Sequence, residues 1–397
     1  MSTLVKATPP QYPASAMVHR PHIKNLGFTL PSVVTRRLLG QGPTSLPLKI
    51  DLTLSAIRTA SSFLSTRQQR STHGSGDGAA LKILARPRFA AVKENLYQKV
   101  SLDGMLGYWT FRGSFTSQIP PKEADVVLYF LHGGGYCVYQ PGHFLTFQLF
   151  LADWLLTRGI KVAIFALDYG LAPEAAWPEQ LMQAARGLRY LVKEIGVQEE
   201  KVAFMGDSAG ANLCLSLLEH IRNPHPDLIP NPTTGIRKPR WGILISPWVT
   251  FRTDNPAYEG NSYLDYLVKS SLERCAEYFR GLTPAEDEVL RQYTEFVGEK
   301  EWVEMLPERT WVLSGGQELF LGDIKTFYAA ANSKGANIEM EVGERLVHDP
   351  PIAECLTKAE GYLNLKVGEE IPKGILPVTT RVARAVERFV KMRGSRL

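Results

Sequence analysis

The sequence has few cysteines, little net charge and no long apolar run. Its four cysteines, Cys137, Cys214, Cys275 and Cys355, show no paired spacing, which argues against a disulfide framework. A net charge of +5 on 397 residues, without a basic stripe interleaved with aromatics, gives no indication of a nucleic-acid partner. No 18 consecutive residues are apolar, and residues 1–10 lack the apolar core of a signal peptide. We therefore expect an intracellular, cytoplasmic protein without a transmembrane segment.

The chain has 44% hydrophobic and 10% aromatic residues, which is enough for 397 residues to bury one large core of helices and strands. From about residue 97 onward, short apolar runs alternate with segments of helical periodicity. This pattern predicts an α/β fold with a mostly parallel sheet and helices on both faces. The predicted strands are 95–100 and 106–111, which are antiparallel, followed by 126–131, 162–167, 202–205, 242–246, 311–314 and 338–342.

The pentapeptide Gly206-Asp207-Ser208-Ala209-Gly210 lies between an apolar run, 201–205, and a helical segment, 211–215. This context predicts a strand, a sharp turn and a helix, with the serine at the apex. Such a turn strains the serine backbone and leaves no room for a Cβ atom two positions to either side. The pattern is typical of a nucleophile elbow, although a solvated loop serine is the alternative.

Three consecutive glycines, Gly133, Gly134 and Gly135, follow the apolar run 124–131 and His132. Ordering glycine costs more chain entropy than ordering any other residue, so the run indicates a backbone that a ligand approaches closely. Acyl transfer requires such a backbone, because bare peptide NH groups can bind the oxyanion of a tetrahedral intermediate. We assign this role to Gly134 and Gly135, with Gly133 as a further candidate, together with the amide of Ala209. A flexible turn is the alternative.

A serine nucleophile requires a histidine base and an acid that orients it. In this architecture the acid and then the histidine follow the serine in the chain. After Ser208 only His220, His225 and His348 remain. His220 falls within the helix after the serine, and His225 lies in a proline-flanked loop, whereas His348 follows a late strand. We therefore predict His348 as the base, with a surface histidine as the alternative.

Two carboxylates compete for the role of the acid. Glu318 lies just beyond the predicted strand 311–314, where a side chain on the carboxyl edge of a parallel sheet can reach a histidine loop. Asp323 is better placed to begin the following helix, near the positive end of its dipole. We favour Glu318 and retain Asp323 as the alternative acid.

These residues resemble the hormone-sensitive lipase-like branch of the α/β-hydrolase superfamily, over roughly residues 95–350. Three blocks carry the resemblance: 132–135, 168–174 with Trp177-Pro178, and 206–210. The resemblance implies an α/β-hydrolase fold that cleaves carboxylic esters through an acyl-enzyme, without a metal or cofactor. It also implies that Asp168 and Glu174 brace the turn behind the oxyanion loop. The family acid is usually an aspartate followed by Pro-Leu, whereas this chain has Glu318-Leu319-Phe320.

The resemblance also suggests a division of the chain. We expect residues 1–94 to form an N-terminal helical cap or lead segment and residues 95–397 to form the catalytic core, with a cap insertion around 254–302. Within the first segment, 27–46 and 50–64 have helical periodicity and 65–79 resembles an exposed loop. An added segment, about 356–374, precedes the last amphipathic helix and is expected to fold over one wall of the site.

The leading functional hypothesis is a serine carboxylesterase or deacetylase acting on a small to medium apolar ester. An alternative is a tailoring hydrolase, acyltransferase or cyclase of fungal secondary metabolism, which rests on family analogy alone. A third hypothesis is a ligand-binding receptor of the same fold, as in plant gibberellin receptors, but those lack the histidine that His348 supplies here. The partner is a small-molecule ester in the first two cases, and the sequence leaves a homodimer open.

Overall fold

A computed structural model describes residue 31 and residues 33–39, 48–102 and 104–394 of the chain. Its centre is an eight-stranded sheet. The strands are β1 (Gln98–Leu102), β2 (Met105–Arg112), β3 (Val126–Leu131), β4 (Val162–Leu167), β5 (Val202–Asp207), β6 (Trp241–Ile245), β7 (Arg309–Gly315) and β8 (Ile338–Gly343). Their order in the sheet is β1-β2-β4-β3-β5-β6-β7-β8. The pairs β1–β2 and β2–β4 are antiparallel, and all the remaining neighbours are parallel. The predicted fold class is confirmed.

The middle strands are apolar without interruption because helices cover both faces of the sheet. In β3, Val127, Tyr129 and Leu131 pack into the core on one face. The alternating residues 126, 128 and 130 pack into the core on the other face. Every residue of this strand is fully buried. The sheet therefore separates two hydrophobic cores and provides a rigid support for the loops at its carboxyl edge.

The helices are α1 (Leu48–Phe63), α2 (Thr66–His73), α3 (Gly76–Leu84), α4 (Leu145–Leu156), α5 (Glu179–Arg189), α6 (Ser208–Arg222), α7 (Ala257–Gly260), α8 (Lys269–Arg280), α9 (Glu288–Thr294), α10 (Trp302–Met305), α11 (Leu321–Ser333), α12 (Pro350–Lys358), α13 (Glu360–Leu363) and α14 (Pro377–Gly394). Helices α5, α6 and α11 contribute to the first of these cores, and α4, α12 and α14 contribute to the second.

The prediction for the N-terminal region is partly wrong. Helix α1 confirms the predicted helix at 50–64. Of the predicted helix 27–46, the described residues 31 and 33–38 are helical and residue 39 is a turn, while 27–30, 32 and 40–46 lie outside the described residues. The predicted loop 65–79 instead contains α2 and the first four residues of α3. Ser65 and Gln68 form a reciprocal capping box at the start of α2, and Ser75 caps α3 by accepting from the Gly78 amide. Local capping thus turns a polar, glycine-rich sequence into helix.

The added segment 356–374 does not form a wall of the site, which corrects the expectation. Its Tyr362 is fully buried and donates a hydrogen bond to Asp153 of α4 at 2.9 Å. The same ring packs edge-on against Phe150 of α4, with 5.0 Å between ring centroids. Glu360 of the same segment forms an ion pair with Arg86, which lies just after α3. These contacts fix the segment on the α4 face of the sheet.

Between β6 and β7 the chain leaves the sheet and forms α7 to α10. The N-terminal helix α1 packs against this insertion: Arg274 of α8 donates to the Ser61 carbonyl at 2.8 Å, and Arg58 donates to the Tyr263 carbonyl at 2.9 Å. Within the described part of the chain, no helix is both long and apolar enough to cross a membrane.

Candidate active site

Ser208 lies where β5 ends and α6 begins, with a backbone φ of 51° that is unusual for a residue other than glycine. A Cβ atom on Gly206 would lie 2.6 Å from the Gly210 carbonyl carbon, and one on Gly210 would lie 2.0 Å from the Leu131 carbonyl oxygen. Glycine is therefore required at both positions for the turn to close against β3. The geometry is that of the predicted elbow.

A continuous hydrogen-bond chain connects Ser208, His348 and Glu318. The Ser208 hydroxyl lies 2.9 Å from Nε2 of His348, and Nδ1 of the same ring lies 2.9 Å from Oε2 of Glu318. All three side chains are buried, with Ser208 the most exposed at 5%. They follow strands β5, β7 and β8, whose carboxyl ends lie along one edge of the sheet. The structure thus brings together the three residues that the sequence singled out.

Glu318 is held on both oxygens. Oε2 faces His348, while Oε1 accepts from the Ser314 hydroxyl and from the Gly315 amide. Burial raises the pKa of Glu318, and hydrogen bonds from His348, Ser314 and Ser246 oppose that effect. The alternative acid, Asp323, lies in the first turn of α11 and accepts from Asn255 at 2.5 Å. Asp323 is thus engaged away from the histidine.

The other two downstream histidines are engaged elsewhere. Nε2 of His220 lies 2.9 Å from the Asn231 side-chain oxygen, and Nδ1 of His220 accepts from the His225 amide at 3.0 Å. Burial lowers the pKa of both imidazoles. They support the loop after α6 and do not take part in the chain from Ser208.

The glycine loop after β3 adopts conformations that glycine favours, with φ of 109° at Gly134 and 60° at Gly135. A Cβ atom on Gly134 would lie 2.2 Å from the Val138 carbonyl oxygen. The Gly133 amide donates to Oδ1 of Asp207 at 3.0 Å, so Gly133 is not free to bind an oxyanion, and this part of the prediction is corrected. The amides of Gly134, Gly135 and Ala209 donate no hydrogen bond to any group of the described residues. These three amides are available to an incoming oxygen.

Side chains from outside the loop fix its position. Tyr169 donates to the His132 carbonyl at 2.5 Å, and the two rings stack with 4.2 Å between centroids. Burial lowers the pKa of His132 to about 3, so this imidazole is neutral. Arg70 of α2 donates to the Cys137 carbonyl at 2.7 Å and pairs with Glu174. Asp168 accepts from Gln140, which follows the loop. Asp168 and Glu174 therefore have the bracing contacts that the resemblance implied.

Sequence reasoning missed a carboxylate beside the base. Oδ2 of Asp349 lies 3.2 Å from Nε2 of His348, the nitrogen that faces Ser208. Burial alone would lower the pKa of His348, but Asp349 and Glu318 outweigh it and raise that pKa well above 6.5. Burial and the neighbouring Asp349 also raise the pKa of Asp207 well above its usual value. The adjacent His-Asp pair in the sequence was the signal that could have revealed this contact.

Two further residues were also missed. Ser246, at the end of β6, has a backbone φ of 43°. Its hydroxyl oxygen accepts a hydrogen bond from the Asp349 amide at 3.0 Å. Asp265, in the insertion between β6 and β7, is fully buried and accepts the amides of Leu319 and His348. Neither belongs to a sequence motif. Asp265 binds these backbone amides, and Ser246 contacts both the Asp349 amide and the Glu318 carboxylate, and all of these partners are distant in the chain.

A serine at a strand-turn-helix apex, in contact with a histidine after the last strand of a mostly parallel sheet, defines the α/β-hydrolase class. A family model described as an alpha/beta hydrolase fold matches residues 128–351. Because this match spans more than half of the chain, the protein belongs to that family.

Curated relatives match the chain over parts of their length. Mouse arylacetamide deacetylase is 28% identical over 206 residues, 48% of this chain and 49% of that protein. Mouse hormone-sensitive lipase is 31% identical over 174 residues, 43% of this chain and 21% of that protein. An acetyl-hydrolase of Streptomyces hygroscopicus is 24% identical over 231 residues, 58% of this chain and 69% of that protein. The chain spans about half the length of the deacetylase that it matches.

Solved structures share the fold over most of the chain. An esterase from the bacterial hormone-sensitive lipase family superimposes with a TM-score of 0.62 at 19% identity, covering 87% of this chain and 99% of that one. The structure of EstE5 soaked with p-nitrophenyl butyrate gives a TM-score of 0.60 at 18% identity, covering 94% and 100%. The α/β-hydrolase fold therefore extends well beyond residues 128–351.

Proposed function

We propose that this protein is a serine carboxylesterase or deacetylase that cleaves a small to medium apolar ester through an acyl-enzyme. The observation that carries the proposal is the hydrogen-bond chain from Ser208 through His348 to Glu318, with 2.9 Å at each step. The names of the relatives support it, since they include a deacetylase and an acetyl-hydrolase.

In the first half of the reaction, the Ser208 oxygen attacks the acyl carbon and His348 accepts the hydroxyl proton on Nε2. Glu318 holds Nδ1–H and stabilises the imidazolium that forms. The negative charge on the carbonyl oxygen is bound by the amides of Gly134, Gly135 and Ala209. When the intermediate collapses, His348 returns the proton to the leaving alcohol. Water then attacks the acyl-enzyme by the same route and releases the acid.

We propose that the described part of residues 1–94 and the insertion 254–302 together form a cap over the core 95–397. Contacts of Arg58 and Arg274 tie helix α1 to the insertion, and Ser208 is only 5% exposed. A buried nucleophile favours electrostatic catalysis, because the amides of the oxyanion loop act more strongly where water is excluded. Substrate must therefore enter through a movement or opening of this cap.

Aromatic rings next to the base support an apolar substrate. Phe320 packs edge-on against the His348 ring at 4.9 Å, and Tyr266 of the insertion lies at 5.8 Å. Other aromatics of the insertion, such as Phe279 and Tyr293, are buried in the core and serve packing. A tailoring hydrolase or acyltransferase would use the same residues and differ in the acceptor of the acyl group. That alternative and a homodimer both stay predictions.

A series of p-nitrophenyl esters from acetate to laurate tests the proposal, with wild type and Ser208→Ala compared side by side. We expect wild type to cleave the short chains and the variant to be inactive. Ser216→Ala is a matched control, because Ser216 is a buried serine two turns further along α6 whose hydroxyl bonds to the Asn212 carbonyl at 3.0 Å. Cleavage by Ser208→Ala at the wild-type rate would refute the proposal.

A further inference from the structure

We propose that Asp265 is a positioning residue of the triad, a carboxylate from the insertion that fixes the acid loop and the histidine loop relative to each other. The inference rests on the proposed function, because it assigns to Asp265 the alignment of the same site. Oδ2 of Asp265 accepts the Leu319 amide at 2.9 Å, and Oδ1 accepts the His348 amide at 3.1 Å. One carboxylate thus binds the amide of Leu319, the residue after Glu318, and also the amide of the base, His348.

The two loops need such a bridge because they leave different strands. Glu318 follows β7 and His348 follows β8, so the 2.9 Å contact between their side chains depends on how the loops are placed. Hydrogen bonds from amides to an ionised carboxylate are shorter and stronger than neutral ones. Asp265 therefore sets the distance between acid and base more firmly than packing alone would.

The chemistry of the contact requires an aspartate. Asp265 is fully buried, and its Oδ1 also accepts the Tyr266 amide at 2.8 Å, so the carboxylate receives three backbone donors. Burial raises the pKa of Asp265, and His348 together with these amides opposes that effect. Asparagine has the same shape but offers a single acceptor oxygen, so its NH₂ group would face one of the amide donors.

Helix α1 in turn holds the backbone of Asp265 in place. Nη1 of Arg58 in α1 donates to the Asp265 carbonyl at 2.6 Å and to the Tyr263 carbonyl at 2.9 Å. Arg58 in turn lies 3.8 Å from the buried carboxylate of Asp51. A continuous path of polar contacts thus runs from α1 through the insertion to the triad, and it makes the cap a part of the catalytic geometry.

The test compares Asp265→Asn with Asp153→Asn. Asp153 is a matched control because it is also buried and accepts from Arg88 at 2.6 Å and from Tyr362 at 2.9 Å, but on the α4 face. For Asp265→Asn we expect kcat on a short p-nitrophenyl ester to fall about 10- to 100-fold, with KM within about twofold of wild type. Asp153→Asn should lower Tm without lowering kcat. A wild-type kcat in a folded Asp265→Asn variant would overturn the proposal.

Labelling of Ser208 by a fluorophosphonate separates this proposal from the proposed function. The probe reports the alignment of serine and histidine without requiring an ester that fits the pocket. If wild type is labelled but cleaves no ester, the proposed function fails while slow labelling of Asp265→Asn still supports the positioning role. Labelling of the variant at the wild-type rate contradicts it.

If Asp265→Asn does not fold, the wild-type protein still provides a test. Amide hydrogen exchange should show the Leu319 and His348 amides to be protected as strongly as those of the neighbouring strands β7 and β8, because a buried carboxylate binds both. Exchange of these two amides at the rate of an open loop would overturn the proposal.

Discussion

The carboxylate of Asp349 lies 3.2 Å from Nε2 of His348, the same ring nitrogen that faces the Ser208 hydroxyl. The backbone of Asp349 has a φ of 47°, in the left-handed region that aspartate tolerates better than most residues. A negative charge at this place favours the protonated imidazole. The base is therefore held in its inactive, protonated form up to a higher pH than an ordinary histidine.

This contact predicts the pH dependence of activity. His348 must be neutral to accept a proton, so kcat/KM should fall as pH decreases through its pKa, which lies well above 6.5. Asp349→Asn removes the negative charge, lowers the pKa of His348 and should move the midpoint of the acidic limb to lower pH. A pH profile of kcat/KM measures this shift. Asp153→Asn, remote from the ring, should keep the wild-type midpoint, and an unmoved limb in Asp349→Asn would contradict the account.

The identity of the acid is tested by parallel amide substitutions. Glu318→Gln should lower kcat by about 10⁴-fold, because an amide cannot hold the imidazole in the required tautomer as a carboxylate does. Asp323→Asn changes the other candidate, which bonds to Asn255, and should leave kcat within about twofold of wild type. Steady-state kinetics on one ester measures both. The reverse pattern would make Asp323 the acid.

The oxyanion loop is tested at Gly134. Gly134→Ala brings a Cβ atom to 2.2 Å from the Val138 carbonyl oxygen, so the loop that carries the proposed oxyanion amides must shift. We expect kcat to fall about 10²- to 10³-fold, as for the loss of an oxyanion donor. Gly159→Ala is the control, since Gly159 has a φ of 74° but a Cβ atom there would meet no other atom within 4 Å, so only backbone strain is added. An equal loss in both variants would argue against a role for the Gly134 amide.

The N-terminal helices are tested through Arg70. Arg70→Met removes the hydrogen bonds to the Cys137 and Ala172 carbonyls and the ion pair with Glu174. We expect the free energy of unfolding to fall by about 1–3 kcal/mol, because buried carbonyl groups lose a charged donor. We also expect kcat to fall, because the oxyanion loop becomes less firmly held. Arg67→Met on the exposed side of the same helix should change neither. Thermal unfolding and kinetics of the two variants decide the matter.

The sheet was predictable because its central strands are apolar on both faces, as in β3. The capped helices α2 and α3 were not predictable in the same way. Their sequence has little apolar periodicity, and their ends depend on the side-chain caps of Ser65 and Ser75. When only composition is considered, a sequence of this kind resembles a loop.

The contact of Ser208 with His348 was predictable from chain order, since only one histidine after Ser208 lies in a loop after a late strand. Its surroundings were not. Asp265 acts through backbone amides of residues 54 and 83 positions away in the chain, so no short motif contains the contact. The Gly133 amide was misassigned because its partner, Asp207, becomes visible only when β3 and β5 are paired.

The most direct test of the central claim is to capture the acyl-enzyme. Wild type is mixed with p-nitrophenyl acetate, quenched in acid within the first turnover and digested, and the acetylated peptide is identified by mass spectrometry. We expect one acetyl group on Ser208 in wild type and none in Ser208→Ala. Rapid release of p-nitrophenol with no acetyl group on Ser208, or with the group on another residue, would contradict it.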